Sequence, residues 1–391
     1  MDDRLEYDEE RLAAITWSQI AQAGDVRAVR LVARLGYHAA LKALESGEDL
    51  DPAQIVAAVG WRENLQRIRN QGPYHVNTLE RMGVQVLIPS DASWPAQLND
   101  LGDRRPLTLW VRGNAEARSA CLAGPAISIV GARAASNRGL RVSSDFSFDL
   151  AKDFTIVSGG AFGIDAAAHR GALLARGNTI IFTAAGVDRP YPASHADLYT
   201  QVLGHSGLVI SEWPLGSAPH AHRFLLRNRM IAAFSKATVV VEASVRSGAL
   251  NTAREALEMG REVGAVPGPI DSPYSVGCHD LIRSGATLIA TPAHARELAN
   301  PIGSQLLLDL DSASTSSSLG AGAAEANGAP SRTGWSDEMA MVYDAVPKVQ
   351  PARLESIARV AHVDLTKTRI VLSKLEVAGH VKAKDGRWVK S

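Results

Sequence analysis

Three small-residue turns and one arginine cluster hold the residue types in this 391-residue chain that could do chemistry. The first is S-I-V-G-A-R-A-A-S-N-R-G, Ser128 to Gly139, where an apolar strand ends in Gly131 and Arg133 and Ser136 precede a helix. A glycine there lets a ligand approach the backbone, and a helix N-terminus offers unpaired N–H groups and a positive dipole end to an anion. Arg133 adds a fork of donors matched to phosphate. An ordinary strand-to-helix turn with a surface arginine would explain this segment equally well. The second is Ser158-Gly159-Gly160-Ala161-Phe162-Gly163, nearly a G-x-G-x-x-G with serine in first place, directly after a strand and opening a helix. Phosphate binding is expected there. The third, Ser247-Gly248 within V-E-A-S-V-R-S-G-A-L, opens another helix and makes another anion site.

The arginine cluster lies in H-A-H-R-F-L-L-R-N-R, where Arg223, Phe224, Arg227, Asn228 and Arg229 follow two histidines. Arginines interleaved with an aromatic are what a groove needs to hold phosphates and stack bases. The Arg-Asn-Arg triplet is read as the start of a helix facing that groove.

Other chemistries are poorly served. The acidic residue that grips a dinucleotide ribose, expected about 20 residues after the glycine turn, is missing from residues 177 to 187, and Asp188 is late. No nicotinamide or flavin cofactor is therefore implied. Asp165 and His169, four apart, could be an acid/base pair, although such a pair more often caps or packs a helix. The chain has no G-x-x-x-x-G-K-[ST], G-x-S-x-G or H-E-x-x-H. What recurs is phosphate holders without a reactive group, and several at successive strand ends suit a polyanion better than a mononucleotide.

The elements that must position these turns follow from periodicity. Between Pro125 and Pro292, short apolar runs such as I-S-I-V, T-I-I-F-T-A and T-V-V-V-E alternate with helical stretches. Such runs predict parallel strands covered on both faces. The fold class is α/β, an extended Rossmann-like core of parallel or mixed sheet. Residues 85–305 form that core, with V-Q-V-L-I-P and L-T-L-W-V-R-G as strands that could join its sheet. Residues 1–84 read as a small helical domain, with Asp25 and Asp51-Pro52 as helix starts. Residues 306–334, rich in Ser, Ala and Gly, read as a flexible linker. Residues 335–391 read as a winged helix, three helices closed by two short strands.

Composition bounds the partners. Lys plus Arg and Asp plus Glu each number 41. Residues 125–300 hold 16 basic against 14 acidic side chains, so any nucleic-acid site must be a local cluster. Two isolated cysteines, Cys121 and Cys278, suggest neither disulfide nor zinc. The acidic first residues and the lack of an apolar run near the roughly 18 residues of a membrane span lead to the expectation of a cytoplasmic protein.

Taken in order, G-x-R-x-x-S, S-G-x-A-x-G-I-D-x-x-A-H, Y-P, R-N-R-x-I-A, V-V-E-A-x-x-x-S-G and V-P-G, from Gly131 to Gly268, resemble the DprA/Smf family of DNA-processing proteins. The resemblance implies a dimer that binds single-stranded DNA and loads the recombinase RecA during natural transformation, without catalytic turnover. By motif, Gly131, Arg133, Ser136, the loop Ser158 to Gly163, and Arg227, Asn228 and Arg229 would line the DNA groove, with Ser247 and Gly248 beside it. The chain departs from the family at Y-P-A-S-H, Tyr191 to His195, where a basic residue and asparagine are usual, and at Leu225, where proline is usual. Two other functions compete. One is a nucleotide phosphoribohydrolase with Glu242 and Glu255 as acid/base candidates. The other is a duplex-DNA regulator reading through Lys367, Arg369 and Lys374 of the winged helix.

Overall fold

The first apolar run after Pro125 becomes the centre of a nine-stranded sheet. A computed structural model describes residues 7–71, 76–300, 337–347, 352–361, 363–377, 379–384 and 387–390. The chain divides into two compact units, Met1–Thr315 and Ser316–Ser391. The expected linker, 306–334, lies outside the described residues.

In the larger unit the core strands are β3 (Ala126–Val130), β4 (Thr155–Ser158), β5 (Thr179–Phe182), β6 (Gly207–Ser211), β7 (Ala237–Val240), β8 (Glu262–Ala265) and β9 (Thr287–Leu288). All pair in parallel, in the order β6-β5-β4-β3-β7-β8-β9. The strands β1 (Val84–Leu87) and β2 (Leu109–Arg112) extend the β6 edge antiparallel, Trp110 opposite Ser211. The sheet is therefore mixed and Rossmann-like. From β3 the chain runs outward through β4, β5 and β6, then returns to place β7 on the other side of β3. That reversal is a topological switch point, where open α/β sheets leave a crevice at the carboxyl ends of their strands.

Strands β3 to β7 are buried along their whole length, which is why their sequences are apolar on both faces. Ile127 and Ile129 pack against α7 (Asn137–Leu150), α8 (Ile164–Leu174) and α13 (Pro292–Ala299) through Phe146, Leu150, Ile164, Ala168 and Leu298. Ala126 and Val130 face the opposite layer, which holds Met230 to Phe234 of α10 (Ala221–Phe234) and Ala249 and Ala253 of α11 (Gly248–Glu258). Alternate residues of one strand thus reach opposite layers.

The N-terminal helices α1 (Glu9–Ile20), α2 (Val26–Leu35), α3 (Tyr37–Ser46) and α4 (Pro52–Gln71) gather around Trp17 and Trp61, whose rings meet edge to face at 5.3 Å. Asp8 and Asp25 cap α1 and α2 by accepting from the Arg11 and Arg27 N–H groups. The Arg11–Asp91 ion pair, 2.7 Å, binds α1 to the segment after β1. In the C-terminal unit, helices Asp337–Ala345, Leu354–Ala361 and Leu365–Val377 enclose Val342, Ile357 and Leu372. A three-stranded antiparallel sheet there runs in the order β10 (Ala352–Arg353), β12 (Arg387–Lys390), β11 (Val381–Lys384). Among the described residues no helix is long and apolar enough to cross a membrane.

Candidate nucleic-acid interface

A cavity of about 380 Å³ opens at the switch point, between the carboxyl ends of β4, β3 and β7. Gly131 and Arg133 line it from β3, Ala161 and Asp165 from the turn after β4, Phe224, Arg227 and Asn228 from α10, and Arg246, Ser247 and Gly248 from the turn after β7. Four segments scattered over more than a hundred residues of sequence thus converge.

The glycines permit that convergence. Gly163 has φ +75°, and a Cβ there would lie 2.3 Å from the Ala132 carbonyl oxygen, so any side chain would part the first two turns. A Cβ on Gly159 would lie 2.4 Å from the Arg227 guanidinium. Arg227 is 3% exposed. Its Nη1 donates to the carbonyls of Gly159 (2.7 Å) and Phe182, and its Nε to Asn228 Oδ1 at 3.3 Å. No carboxylate forms an ion pair with it among the described residues. Burial pulls its pKa below the ordinary arginine value, the Asp165 charge opposing that pull.

The three helix starts expected to bind anions fare differently. Ser136 caps α7, accepting from the Gly139 N–H, but Glu242 already sits at that end. The Glu242 carboxylate accepts from the Ser136 N–H (2.9 Å) and hydroxyl (2.5 Å). The α7 terminus is therefore filled by the protein's own anion. At α8, Asp165 in the first turn accepts from the N–H groups of Gly159 (3.2 Å) and Ala161 (3.4 Å). Those two donors of the glycine turn are likewise turned to an internal carboxylate, which burial holds above the usual carboxylate pKa range. Of the three, α11 is the start that lines the cavity without an internal carboxylate turned to it or to the turn before it. Ser247 caps it by accepting from the Ala249 N–H, and the Gly248 N–H has no acceptor among the described residues. Exposed Arg133 and Arg246 flank that opening.

The triplet Arg227-Asn228-Arg229 does not start a helix. It lies in the middle of α10 and is buried. Successive helical residues point about 100° apart, at 3.6 residues per turn, so three in a row cannot face one groove. Arg227 faces the strand ends. Asn228 donates to the Gly248 carbonyl (3.3 Å) and Asn251 Oδ1 (3.1 Å), joining α10 to α11. Arg229 points away from the cavity and is corrected from groove residue to internal strut. Its Nη2 donates to both oxygens of Glu212 (2.8 and 2.7 Å), and its Nε to the Arg104 carbonyl (2.8 Å). Glu212 also accepts from the Gly24 N–H, so the pair clamps α10 to the N-terminal helices.

Aromatic rings border the opening. The Arg133 guanidinium lies 5.0 Å over the Phe224 ring, whose centroid is 5.3 Å from that of Tyr191. Phe162, 48% exposed at the tip of its turn, rests edge-on against His195 at 4.7 Å. His195 itself pairs through Nδ1 with the Gly160 carbonyl, 3.0 Å, so the departure at Tyr191 to His195 places a support under the glycine turn. Ser158 is buried, its hydroxyl bonded to the Ile129 carbonyl, and Arg223 stacks over Trp213 at 5.4 Å outside the cavity.

The two candidate acid/base pairings lose their geometry. Glu242 is occupied at α7, while Glu255 pairs with Arg104 at 3.0 Å away from the cavity, so the two carboxylates do not share a site. Asp165 and His169 do not act as a pair either. Thr179 Oγ1 donates to the Ile156 carbonyl, so His169 Nδ1 must be the donor in its 2.8 Å contact with that hydroxyl. His169 Nε2 is then a buried acceptor without a partner in the described structure. Lys367, Arg369 and Lys374 lie exposed along the helix Leu365–Val377 of the smaller unit. Arg246 is a lining residue that the sequence motifs did not mark. Arg246 was legible as the cation just before a Ser-Gly helix start.

The family model of DNA recombination-mediator protein A matches residues 85–300. The chain is 37% identical over 351 residues to a provisionally named DNA processing protein DprA of Mycobacterium tuberculosis, covering 86% of this chain and 83% of that one. It is 38% identical over 260 residues to the DNA processing protein DprA of Streptococcus pneumoniae, covering 64% and 89%. The X-ray structure of the S. pneumoniae protein superposes with a TM-score of 0.58 at 28% identity, over 76% of this chain and 99% of that one.

Proposed function

The chain belongs to the DNA recombination-mediator protein A family, and on that premise we propose that it binds single-stranded DNA across the cavity at the switch point. The observation that carries this reading is the open N-terminus of α11, set between exposed Arg133 and Arg246 above the buried Arg227 cation. A backbone phosphate seated there meets two exposed guanidinium groups and an unpaired N–H. Bases running off the phosphate reach Phe224, Tyr191 and Phe162, whose faces stack any base and so read no sequence. Gly131, Gly159, Gly160 and Gly163 act by letting the turns close. Ser136, Ser158, Asn228 and Arg229 act by holding them.

The same reading makes the protein a homodimer that hands its DNA to RecA, with the C-terminal unit as a winged-helix accessory. Fluorescence anisotropy with labelled oligo-dT and a matched duplex tests the core of it. Preferential, salt-dependent binding of oligo-dT is expected, and equal affinity for both would refute it. RecA filament formation on the preformed complex should start sooner than on DNA covered by a single-strand-binding protein. Unchanged nucleation would remove the loading role alone.

A further inference from the structure

The charge and size of the cavity fit something narrower than an internal stretch of DNA. Among its lining residues are three arginines, Arg133, Arg227 and Arg246, and one carboxylate, Asp165, already turned to the N–H groups of Gly159 and Ala161. That leaves about two positive charges uncompensated. A phosphodiester inside a strand carries one negative charge, whereas a phosphate monoester carries about 1.5 to 2 at neutral pH. A buried guanidinium without an ion pair is costly to keep and gains most from a dianion. Arg227 is such a group: its Nη1 and Nε are anchored, while its Nη2 donates to nothing among the described residues. The volume agrees. At about 380 Å³ the cavity lies near the bottom of the roughly 300 to 1,000 Å³ range of small-ligand pockets, enough for one nucleotide unit and little more.

We propose that the cavity is a nucleoside 5′-phosphate site, which takes the monoester of a free mononucleotide or of a 5′-phosphorylated strand end. The phosphate sits at the Gly248 N–H, flanked by Arg133 and Arg246 with Arg227 behind, and the sugar and base extend toward Phe224 and Tyr274. The proposal rests on the cavity being the DNA site. It adds that free nucleotide and DNA exclude one another there.

Calorimetric titration of the full chain with thymidine 5′-monophosphate, with thymidine as the phosphate-free control, tests the first source. Anisotropy of 5′-phosphorylated against 5′-hydroxyl oligo-dT tests the second. The monophosphate should bind and displace oligo-dT while thymidine does neither, or the 5′-phosphate should tighten the oligonucleotide at least tenfold. Arg227 is too deeply packed for a clean substitution, so the variants are Gly248→Val and Arg246→Ala. A Cβ at Gly248 meets no heavy atom within 4 Å, so a side chain can start there toward the phosphate position, and an unshifted thermal midpoint of Gly248→Val serves as the control that the fold accepts the valine. Each variant should weaken monophosphate binding about tenfold. Monophosphate binding undiminished in Gly248→Val would overturn the proposal. So would oligo-dT binding that ignores both the monophosphate and the 5′ end, with the DNA reading left standing. If oligo-dT does not bind at all, the DNA reading itself falls, and the proposal with it.

Discussion

Replacing Arg229 by alanine separates a structural arginine from a binding one within a single helix. The substitution removes four hydrogen bonds, two to Glu212 and one each to the carbonyls of Arg104 and Leu226, at an ion pair whose side chains are 2% and 4% exposed. Among the described residues Glu212 would keep only the Gly24 N–H at 3.2 Å. Truncating one partner of a buried pair costs about 3–5 kcal/mol, because the other charge stays buried and unpaired. At roughly 2 °C per kcal/mol for a unit of this size, the thermal midpoint should fall by about 6–10 °C. Affinity of the folded protein for oligo-dT should change by less than about twofold, since Arg229 faces away from the cavity. Replacing both partners with apolar residues of similar volume, Arg229→Met with Glu212→Leu, should recover much of the loss. Circular dichroism melting, with anisotropy measured well below each midpoint, reads both quantities. An Arg229→Ala protein with an unshifted midpoint and abolished DNA binding would refute the strut and restore Arg229 to the groove.

Phe224→Ala should cost about 1–3 kcal/mol of oligo-dT affinity, the value of one stacked base, and leave the salt dependence unchanged because no charge is lost; anisotropy at several salt concentrations checks both. Gly163→Ala should destabilise the protein by more than about 2 kcal/mol in urea unfolding, since it combines a positive φ with a Cβ 2.3 Å from a carbonyl oxygen. Acid should also destabilise the fold through His169. Burial pulls this imidazole from 6.5 to about 3, so between those values the unfolded chain takes a proton that the native one refuses. Its contribution is complete above about pH 6.5 and falls by about 1.4 kcal/mol for each pH unit below it. Urea midpoints of His169→Phe followed from pH 7 to 4 should decline less steeply than those of the native protein, and parallel curves would contradict this.

The core was legible because its chemistry repeats. Each fully buried strand had to be apolar on both faces, so I-S-I-V, T-I-I-F and T-V-V-V marked β3, β5 and β7 directly. The turns carrying Gly131 and Gly159 were legible because strand ends that meet leave little room for side chains, and Ser247-Gly248 because a serine before a helical stretch marks a cap. What a linear reading could not supply was direction. Arg227 and Arg229 are two residues apart in sequence and face nearly opposite sides of α10. Nor did spacing reveal that Glu242, more than a hundred residues from Ser136, fills the α7 terminus, or that Asp165 takes the N–H groups of the glycine turn. Two of the three expected anion sites therefore already face an internal carboxylate. Arg246 stands just before the Ser-Gly helix start, but its pairing with Arg133 across the cavity comes from the convergence of separate segments and not from spacing.

The central claim is that Arg133 and Arg246 hold phosphate at the open end of α11. Its most direct test is the salt dependence of oligo-dT binding by the double variant Arg133→Ala, Arg246→Ala, with unaltered melting as the control for folding. Each phosphate contact to a single strand contributes about 0.7 to the slope of log affinity against log salt. Loss of both cations should therefore flatten the slope by about 1.4 and weaken binding at low salt. A double variant that keeps both the native slope and the native affinity would place the DNA elsewhere on the protein.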